Sequence, residues 1–471
     1  MGVWEARNST MASVPKLLAL LFFCSCHSLT AHAGDDQSYK FLSLDSLKSD
    51  AVCSEPKAFP LSGGATLPLY HRHGPCSPLT DKKMPTLEEL LRRDQLRAAY
   101  IQRKFSGGDA KGGAGDDGQQ SDATTVPTTL GTYLDTLQYV IPVSLGSPAM
   151  NQTMFIDTGS DVSWVQCKPC SQCHSQADPL FDPSSSSTYS PFSCSSATCT
   201  QLGQEGNGCS NSQCQYIVRY GDGSSTTGTY SSDTLVLGSN NVTNFQFGCS
   251  HMESGFLLDD QTDGLMGLGG GAQSLVSQTA RTFGTAFSYC LPPTSSSSGF
   301  LTLGAGTGGS GFVTTPMLRS IRVPTFYGVR LVAIRVGGRQ LLIPPWGFSA
   351  GTIMDSGTII TRLPRTAYSA LSFAFRAAMR GYLPAPPNGI LTTCFDFRGQ
   401  NNVTIPTVAL VFSGGAVVNL DASGILLDDC LAFAGNNDDR SLGIIGNVQQ
   451  RTFEVLYDVG GSSVGFRAGA C

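Results

Sequence analysis

Two short stretches of similar sequence each carry one aspartate and are candidates for acid–base chemistry. The first, Thr153 to Trp164, reads TMFIDTGSDVSW, and the second, Thr352 to Ile360, reads TIMDSGTII. In each, apolar residues typical of a buried strand run into an Asp, a small hydroxyl residue, a glycine and a second hydroxyl residue. The repetition of Asp157 as Asp355 predicts a two-fold site in which two carboxylates face each other.

A facing pair of carboxylates can hydrolyse an amide bond. Glycine at each turn lets backbone amides and hydroxyls approach the carboxylate and hydrogen-bond it. Two carboxyl groups that close share one proton at acid pH and titrate as a pair. One can then take a proton from water while the other donates a proton to the substrate carbonyl. The pattern predicts an acidic pH optimum, no covalent intermediate and no need for a metal or cofactor.

An internal repeat extends beyond the two aspartates. Each Asp turn is followed, after a long excursion, by two apolar residues enclosed by glycines, GLMG at 264–267 and GIIG at 443–446. A repeat offset by about 180 to 200 residues is longer than any solenoid period and predicts a duplicated lobe. We place an N-terminal β-lobe at residues 126–325 and a C-terminal β-lobe at residues 326–471.

The composition favours an all-β fold with a few short helices. The 471-residue chain is 41% hydrophobic and 14% charged, with 54 Gly and 25 Pro, which supply turns and interrupt helices. Helices are expected at Thr366 to Met379 and Ser274 to Thr282. Strands are expected at Tyr139 to Leu145, Met154 to Ile156, Gln215 to Tyr220, Thr234 to Leu237, Phe245 to Phe247, Gly328 to Val336, Val408 to Phe412 and Phe453 to Asp458.

The N-terminus is typical of an exported protein. The apolar run from Leu17 to Cys24 and the Ala31-His32-Ala33 site predict a signal peptide over residues 1–33, with Met11 as a candidate start. No membrane anchor is expected. The product is therefore expected outside the cell or in the vacuole.

Residues 34–125, here called the leader, differ from the rest of the chain and are interpreted as a propeptide with a flexible linker at 107–125. A capping box at Thr86 predicts an amphipathic helix to about Lys104. Residues 70–104 hold eight basic and four acidic side chains, whereas residues 126–471 hold 16 basic and 21 acidic ones. The helix could cover an acidic site as a removable segment, or it could be a solvated folding aid.

Cysteine usage predicts disulfides. Of 16 cysteines, 12 follow Val126, an even number in an exported chain, so six bridges are expected there. Cys167, Cys170 and Cys173 have zinc-like spacing, but the compartment favours disulfides and no metal site is predicted. The net charge of -5 argues against a nucleic-acid partner.

Two rival motifs are set aside. The glycine-rich run at 267–272 imitates a dinucleotide loop but lacks the strand–helix crossover that such a loop requires. The GSSVG string at 461–465 fits a serine-hydrolase motif, yet no histidine follows it. Only His174 and His251 lie beyond residue 126, so few histidines are available for nucleophilic catalysis or for a metal site.

With its paired DTGS and DSGT turns, the sequence resembles the pepsin-like aspartic endopeptidases, and within them the plant nepenthesin-type members. Tyr220 begins a YGDGS segment that is similar to the tip of the family's flap. Trp164 stands where the family places the Trp that hydrogen-bonds the flap tyrosine. The cysteine-rich insertion from Cys167 to Cys214 and the YHRHGPC segment at 70–76 resemble the plant members.

The resemblance implies a role for each matching residue. Asp157 and Asp355 would be the catalytic dyad, and Tyr220 would close over an extended polypeptide substrate. Ser160 and Thr358 would hydrogen-bond the outer carboxylate oxygens, and Gly159 and Gly357 would donate amides. The further dyad-supporting residues are Thr158 and Ser356, and the further flap and substrate-binding residues are Trp164, Gly221, Asp222 and Gly223. Asp161 departs from pepsin, which has a second Ser there.

Three further expectations concern the exported product. A disulfide between Cys394 and Cys430 is expected from their position in the second lobe. Asn241 and Asn402 begin glycosylation sequons, and Asn151 begins a doubtful one because it adjoins the catalytic strand. The protein is expected to be a monomer whose own propeptide is a partner.

The sequence therefore predicts a secreted aspartic-type endopeptidase made as a zymogen. The alternative is a catalytically silent protein on the same scaffold, acting as an inhibitor or binding protein, since plants use similar folds to inhibit polysaccharide-degrading enzymes. Such proteins usually lose a catalytic Asp or its turn, and here both turns are intact.

Overall fold

The structure, a computed structural model, describes residues 38–44, 52–54, 64–79, 86–106, 139–221, 223–255, 261–292, 294, 296–304 and 311–471. The predicted signal peptide, the candidate start at Met11 and the predicted linker at 107–125 lie outside the described residues. Residues 37–471 belong to one unit. The predicted lobe boundaries stay predictions.

Strands dominate the described residues, which confirms the all-β prediction. Up to residue 316 they are β1 (Tyr39–Ser43), β2 (Ala65–His71), β3 (Tyr139–Leu145), β4 (Met150–Asp157), β5 (Trp164–Gln166), β6 (Ser190–Pro191), β7 (Gly206–Ser210), β8 (Gln213–Arg219), β9 (Ser225–Leu237), β10 (Asn240–Ser254), β11 (Gly264–Gly267), β12 (Ala286–Cys290), β13 (Ser298–Leu303) and β14 (Val313–Pro316). Beyond it they are β15 (Tyr327–Val329), β16 (Leu331–Val336), β17 (Arg339–Gln340), β18 (Thr352–Met354), β19 (Thr361–Leu363), β20 (Leu383–Ala385), β21 (Cys394–Asp396), β22 (Asn402–Pro406), β23 (Val408–Phe412), β24 (Val417–Asn419), β25 (Leu426–Leu427), β26 (Cys430–Leu431), β27 (Phe433–Gly435), β28 (Gly443–Ile445), β29 (Phe453–Asp458) and β30 (Ser463–Ala468).

Helices are few among the described residues, and the longest of them, α1, spans Leu87–Phe105. They are α1 (Leu87–Phe105), α2 (Ala197–Gln201), α3 (Leu275–Phe283) and α4 (Arg365–Ala378), with single 3-10 turns at Pro183–Ser185, Gly203–Glu205, Pro345–Phe348, Ser413–Gly415, Ala422–Gly424 and Asn447–Gln450. Thr86 caps α1 as expected, its hydroxyl accepting from the Glu89 amide at 3.2 Å. None of these helices is long and apolar enough to cross a bilayer.

The predicted strand at 328–336 is wrong in one respect, since it is two strands. β15 pairs with β18 in a five-stranded sheet, whereas β16 pairs with β23 in a four-stranded sheet. The chain passes from one sheet to the other at Arg330, and a strand-forming stretch does not by itself show which sheet each part joins.

The largest sheet in the described residues has fifteen strands and draws on the whole length of the chain. Its order is β14-β30-β29-β12-β13-β2-β3-β4-β11-β5-β10-β9-β8-β7, with β6 added on β9. The C-terminal hairpin of β29 and β30 thus pairs with β12 and β14, which lie in the predicted N-terminal lobe. The main apolar core lies against it, with Phe287 stacked on Tyr457 at 4.6 Å between ring centroids.

The internal repeat predicted from the sequence is visible in the pairing. β11 runs parallel to β4, which ends at Asp157, and antiparallel to β5. In the same way β28 runs parallel to β18, which precedes Asp355, and antiparallel to β19. Each apolar-apolar-Gly element is therefore the strand between the two strands that flank an Asp turn.

The leader contributes a strand to the largest sheet. β2 pairs with β13 on one side and β3 on the other, and its Ala65, Leu67 and Leu69 are buried. A disulfide joins Cys53 to Cys76 close by. The leader is thus built into the sheet that also carries Asp157.

Six disulfides form after residue 126, the number expected from the sequence. They are Cys167–Cys249, Cys170–Cys173, Cys194–Cys209, Cys199–Cys214, Cys290–Cys471 and Cys394–Cys430. The cysteines with zinc-like spacing are all oxidised in pairs. Closing long loops restricts the unfolded chain, so these bridges stabilise the fold.

We expect the two glycines that begin the central strands of the repeat to differ in their tolerance to alanine. A Cβ at Gly264 would lie 1.9 Å from the Trp164 carbonyl oxygen, whereas a Cβ at Gly443 would lie 2.9 Å from the rotatable Thr352 hydroxyl. Gly264→Ala should therefore cost about 2 kcal/mol or more, and Gly443→Ala less than about 1 kcal/mol. Equal losses in thermal unfolding would contradict this packing.

Candidate active site

Crossed hydrogen bonds join the two Asp turns. The Ser356 amide donates to the Thr158 hydroxyl at 2.9 Å, and the Thr158 amide donates to the Ser356 hydroxyl at 3.1 Å. All four groups are buried, and the two hydroxyl oxygens lie 3.3 Å apart. The turns are thereby fixed to each other across the pseudo-two-fold axis, with Asp157 and Asp355 beside them.

Neighbouring turn residues donate to both carboxylates. The Gly159 amide donates to Asp157 Oδ1 at 2.9 Å, and the Gly357 amide approaches Asp355 Oδ1 at 3.4 Å. The Thr358 hydroxyl donates to Asp355 Oδ2 at 2.5 Å. These contacts place Gly159, Gly357 and Thr358 where the resemblance expects them.

Ser160 differs from the expectation. Its hydroxyl is buried and makes no hydrogen bond among the described residues. Asp157 Oδ1 accepts from the Gly159 amide and from a leader arginine. The two turns are therefore not equivalent, because Thr358 donates to Asp355 whereas Ser160 makes no matching bond to Asp157.

That arginine is Arg97 of α1, and it bridges the dyad. Its Nη2 lies 2.7 Å from Asp157 Oδ1 and 2.7 Å from Asp355 Oδ1, and its Nε donates to Asp355 Oδ2 at 2.9 Å. Added Cβ atoms at Gly159 and Gly357 would lie 2.6 and 2.2 Å from Arg97 Nη2. Only glycine in both turns admits the guanidinium.

The bridge changes the acidity of the groups it joins. Burial alone would raise the pKa of Asp355, but the charge and hydrogen bonds of Arg97, with Thr358, hold it below its ordinary value. Burial would likewise lower the pKa of Arg97, yet the charges of Asp157 and Asp355 outweigh it and raise that pKa. The leader thus supplies one positive charge that both carboxylates share.

A second ionic contact lies one turn earlier on α1. Asp94 accepts from the amides of Ile359 at 2.6 Å and Ile360 at 3.2 Å, and from the Arg362 guanidinium at 2.6 Å. Burial raises the pKa of Asp94, while Arg362 and the two amides act against that rise. Gln102, further along α1, exchanges two hydrogen bonds with the Leu442 backbone.

The expected flap is present and touches the leader. Tyr220 is buried, and Trp164 Nε1 donates to its hydroxyl at 2.6 Å. Gly223 closes the hairpin at φ +87, where glycine is favoured. A Cβ at Gly221 would lie 2.5 Å from Tyr100 of α1, so the helix lies directly under the flap. Asp222 lies outside the described residues.

Asp161 and the glycine-rich run form a support for the Asp157 turn. Asp161 Oδ1 accepts from the Gly271 amide at 2.8 Å, and Oδ2 accepts from the Thr325 hydroxyl at 2.7 Å. The Gly269 amide donates to the Ser160 carbonyl at 2.8 Å. The segment that imitated a dinucleotide loop therefore holds an acid, whose burial raises its pKa.

The predicted surface residues are placed as follows. Asn241 and Asn402 are exposed, as is Asn151. Asn402 pairs with Ser43 of the leader strand β1. These positions are accessible, and glycosylation stays a prediction.

Sequence reasoning missed the residues that the leader and the second lobe contribute to the site, namely Arg97, Asp94 and Arg362. Two signals were available. The first was the basic character of α1 against an acidic body, and the second was the spacing of Asp94 and Arg97, which places both on one helix face. Neither signal predicts which part of the protein α1 contacts.

Comparison with known proteins assigns the family. An aspartyl protease family protein of Arabidopsis thaliana is 40% identical over 96% of this chain and 98% of its own length. The chain belongs to the plant pepsin-like aspartic proteases. Nepenthesin-2 of Nepenthes gracilis is 37% identical over 71% of this chain and 78% of its own length.

Two family models and the solved structures agree with this assignment. Residues 139–305 match the model described as xylanase inhibitor N-terminal, and residues 326–468 match the one described as xylanase inhibitor C-terminal. The crystal structure of basic 7S globulin from soybean superposes with a TM-score of 0.56 at 20% identity, covering 70% of this chain and 90% of that one. At that identity the likeness shows the bilobal fold alone.

The crossed hydrogen bonds of this aspartic protease should contribute measurably to its stability. Thr158→Val would leave the buried Ser356 amide without its acceptor, so we expect a loss of about 1–3 kcal/mol. The matched control is Thr227→Val on β9, whose hydroxyl donates only to the Met252 carbonyl at 3.3 Å and which should lose about 0.5 kcal/mol or less. Denaturant unfolding of both variants measures the difference, and equal losses would contradict the assignment.

Proposed function

We propose that the chain is the zymogen of a secreted aspartic endopeptidase that hydrolyses peptide bonds at acid pH. One observation carries the proposal: two Asp turns are joined by crossed hydrogen bonds, and a single leader arginine bridges both carboxylates. A silent scaffold would have no catalytic need for a cation held between the two carboxylates.

In the activated enzyme the two carboxyl groups would perform the hydrolysis. Once Arg97 leaves, Asp157 and Asp355 face each other without a cation and share one proton. The ionised member takes a proton from a water molecule as that water attacks the carbonyl carbon. The protonated member donates to the carbonyl oxygen, and the resulting intermediate breaks down as a proton reaches the leaving nitrogen.

The cleft supports an extended polypeptide as substrate. α1 lies between the flap and the dyad, and a cavity beside it is lined by Asp157, Tyr220, Val218 and Thr325. Tyr220, held by Trp164, would close over the bound chain. Removing the helix would open this space for a strand-like segment whose main chain can hydrogen-bond the cleft.

The leader is proposed to act as a reversible block until acid releases it. Arg97 fills the space between the carboxylates, and Ala98 and Ile101 pack on Phe326, Ile353 and Ile444. The ion pairs of Arg97 with both carboxylates and this apolar packing together hold the block in place.

Acid weakens this block at two places. The pKa of Asp355 lies below its ordinary 3.8, so the bridge to Arg97 is complete above pH 3.8 and is lost as the pH falls through the lowered value. Burial, then the charges of Arg451, His73 and Arg72, lowers the pKa of His71 in β2 well below 6.5. The attachment of β2 therefore weakens as the pH falls below 6.5.

The raised pKa of Asp94 acts in the opposite direction. A group that binds protons more readily in the docked state favours docking as the pH falls. Acid release is therefore assigned to Asp355 and His71 and not to the contact between Asp94 and Arg362.

Proteolysis by the dyad is tested with the full chain, acidified with a denatured protein substrate. We expect cleavage that a statine-containing inhibitor blocks, and at least about a thousandfold loss in Asp157→Asn and in Asp355→Asn, since neither can supply its share of the acid–base pair. Asp396→Asn, at a partly exposed carboxylate that pairs with Arg398, is the control. Undiminished cleavage by the dyad variants would reject the proposal.

The leader block predicts how activation depends on pH. Arg97→Gln should activate at higher pH than the wild type, because the charged bridge is absent. His71→Phe keeps a ring in β2 but cannot be protonated, so its activation should shift to lower pH. Activation is followed by the electrophoretic size of the chain and by cleavage of a quenched peptide across a pH series. Identical profiles for all three proteins would contradict the block.

The family models carry the name of xylanase inhibitors, and this favours inhibition as the second candidate function. An inhibitor would bind a polysaccharide-degrading enzyme without needing the dyad. Incubation of the chain and of Asp157→Asn with a xylanase separates the two functions. Inhibition by both proteins, with no proteolysis by either, would favour the second candidate.

A further inference from the structure

A buried arginine in the second lobe depends on the leader for its hydrogen bonds. Arg362 lies in β19 and is 2% exposed. Its Nη2 donates to Asp94 Oδ2 at 2.6 Å, its Nη1 donates to Gln95 Oε1 at 2.9 Å, and its Nε has no partner among the described residues. Both acceptors belong to α1, so both leave when the leader does.

Two backbone amides share the carboxylate that Arg362 holds. The Ile359 amide donates to Asp94 Oδ1 at 2.6 Å and the Ile360 amide donates to Oδ2 at 3.2 Å. Charge-assisted bonds from a guanidinium and two amides are the recognition pattern of a carboxylate. Asp94 therefore fills a site whose three donors all belong to the body of the protein.

We propose that the activated enzyme uses Arg362 and the amides of Ile359 and Ile360 as a subsite for an acidic side chain of the substrate. The proposal rests on the proposed protease function and names part of its specificity. Without an occupant, a guanidinium and two amides in the cleft would be left with water alone. A substrate Asp or Glu restores the contacts that the leader provides through Asp94.

Helix geometry gives the distance of this subsite from the bond to be cut. Asp94 and Arg97 are three residues apart on α1, which separates them by about 4.5 Å along the axis and about 5–6 Å between Cβ atoms. Arg97 lies on the dyad, so the subsite lies beside it. An extended chain advances about 3.3 Å per residue. The acidic residue should therefore stand one to three residues from the scissile bond.

Matched peptides test the subsite. Quenched peptides carry Asp at one of the three positions on either side of the cut, each with an Asn counterpart, and are given to the acid-activated full chain at about pH 5, where a peptide Asp with pKa about 3.9 is ionised. We expect one position at which kcat/KM favours Asp over Asn by about tenfold. An active enzyme with a ratio near one at every position would overturn the subsite alone.

Variants assign the preference to Arg362. In Arg362→Gln the ratio should fall to about one, and in Arg362→Lys, which keeps the charge but not the two-pronged donor, it should be intermediate. The matched control Arg398→Gln removes an arginine that is 90% exposed and paired with Asp396, and it should keep the wild-type ratio. An unchanged preference in Arg362→Gln would overturn the assignment.

The matched peptides on the wild-type enzyme keep the subsite testable if the arginine variants do not fold, since they need no substitution in the protein. Failure to cleave any peptide would instead overturn the proposed protease function, and the subsite with it.

Discussion

Two carboxyl groups held within hydrogen-bonding distance of one nitrogen atom are the constraint on which the rest of the structure depends. Like charges at that separation repel strongly in a buried site. The fold holds the two turns together against this repulsion, since Thr158 and Ser356 hydrogen-bond across the turns and β11 and β28 lie beside the strands that precede the turns. The leader reduces the repulsion electrostatically, because it places the Arg97 guanidinium between the carboxylates.

The leader helix α1 is complementary to the cleft in charge and in shape. One face of α1 presents a cation to the dyad and, three residues earlier, an anion to Arg362. Glycines at 159, 357 and 221 provide the space that the helix occupies. Arg97 and Asp94 of α1 satisfy the two carboxylates and, beside them, Arg362 with the amides of Ile359 and Ile360. The contacts of the proposed block therefore indicate what the cleft could bind.

The sequence was sufficient for features that are local or repeated. Both Asp turns, the strands β3, β23 and β29 and the existence of six disulfides follow from short patterns, because turn chemistry and apolar alternation act over a few residues. The bridge from Arg97 to Asp355 joins residues 258 apart, and no local pattern specifies it. The expected bond from Ser160 is also absent, since its buried hydroxyl makes no hydrogen bond among the described residues.

In the proposed release, acid has opposite effects on different contacts of the leader. Protonation of Asp355 removes the attraction for Arg97, and protonation of His71 adds a buried charge beside Arg72 and Arg451. Asp94 gains no such penalty, because burial raises its pKa and its neutral form still accepts hydrogen bonds. In the proposed release, acid therefore loosens α1 at the dyad and does not loosen it at Arg362. The proposed subsite that Asp94 occupies is then the part of the cleft where the leader and an acidic substrate side chain would compete most directly.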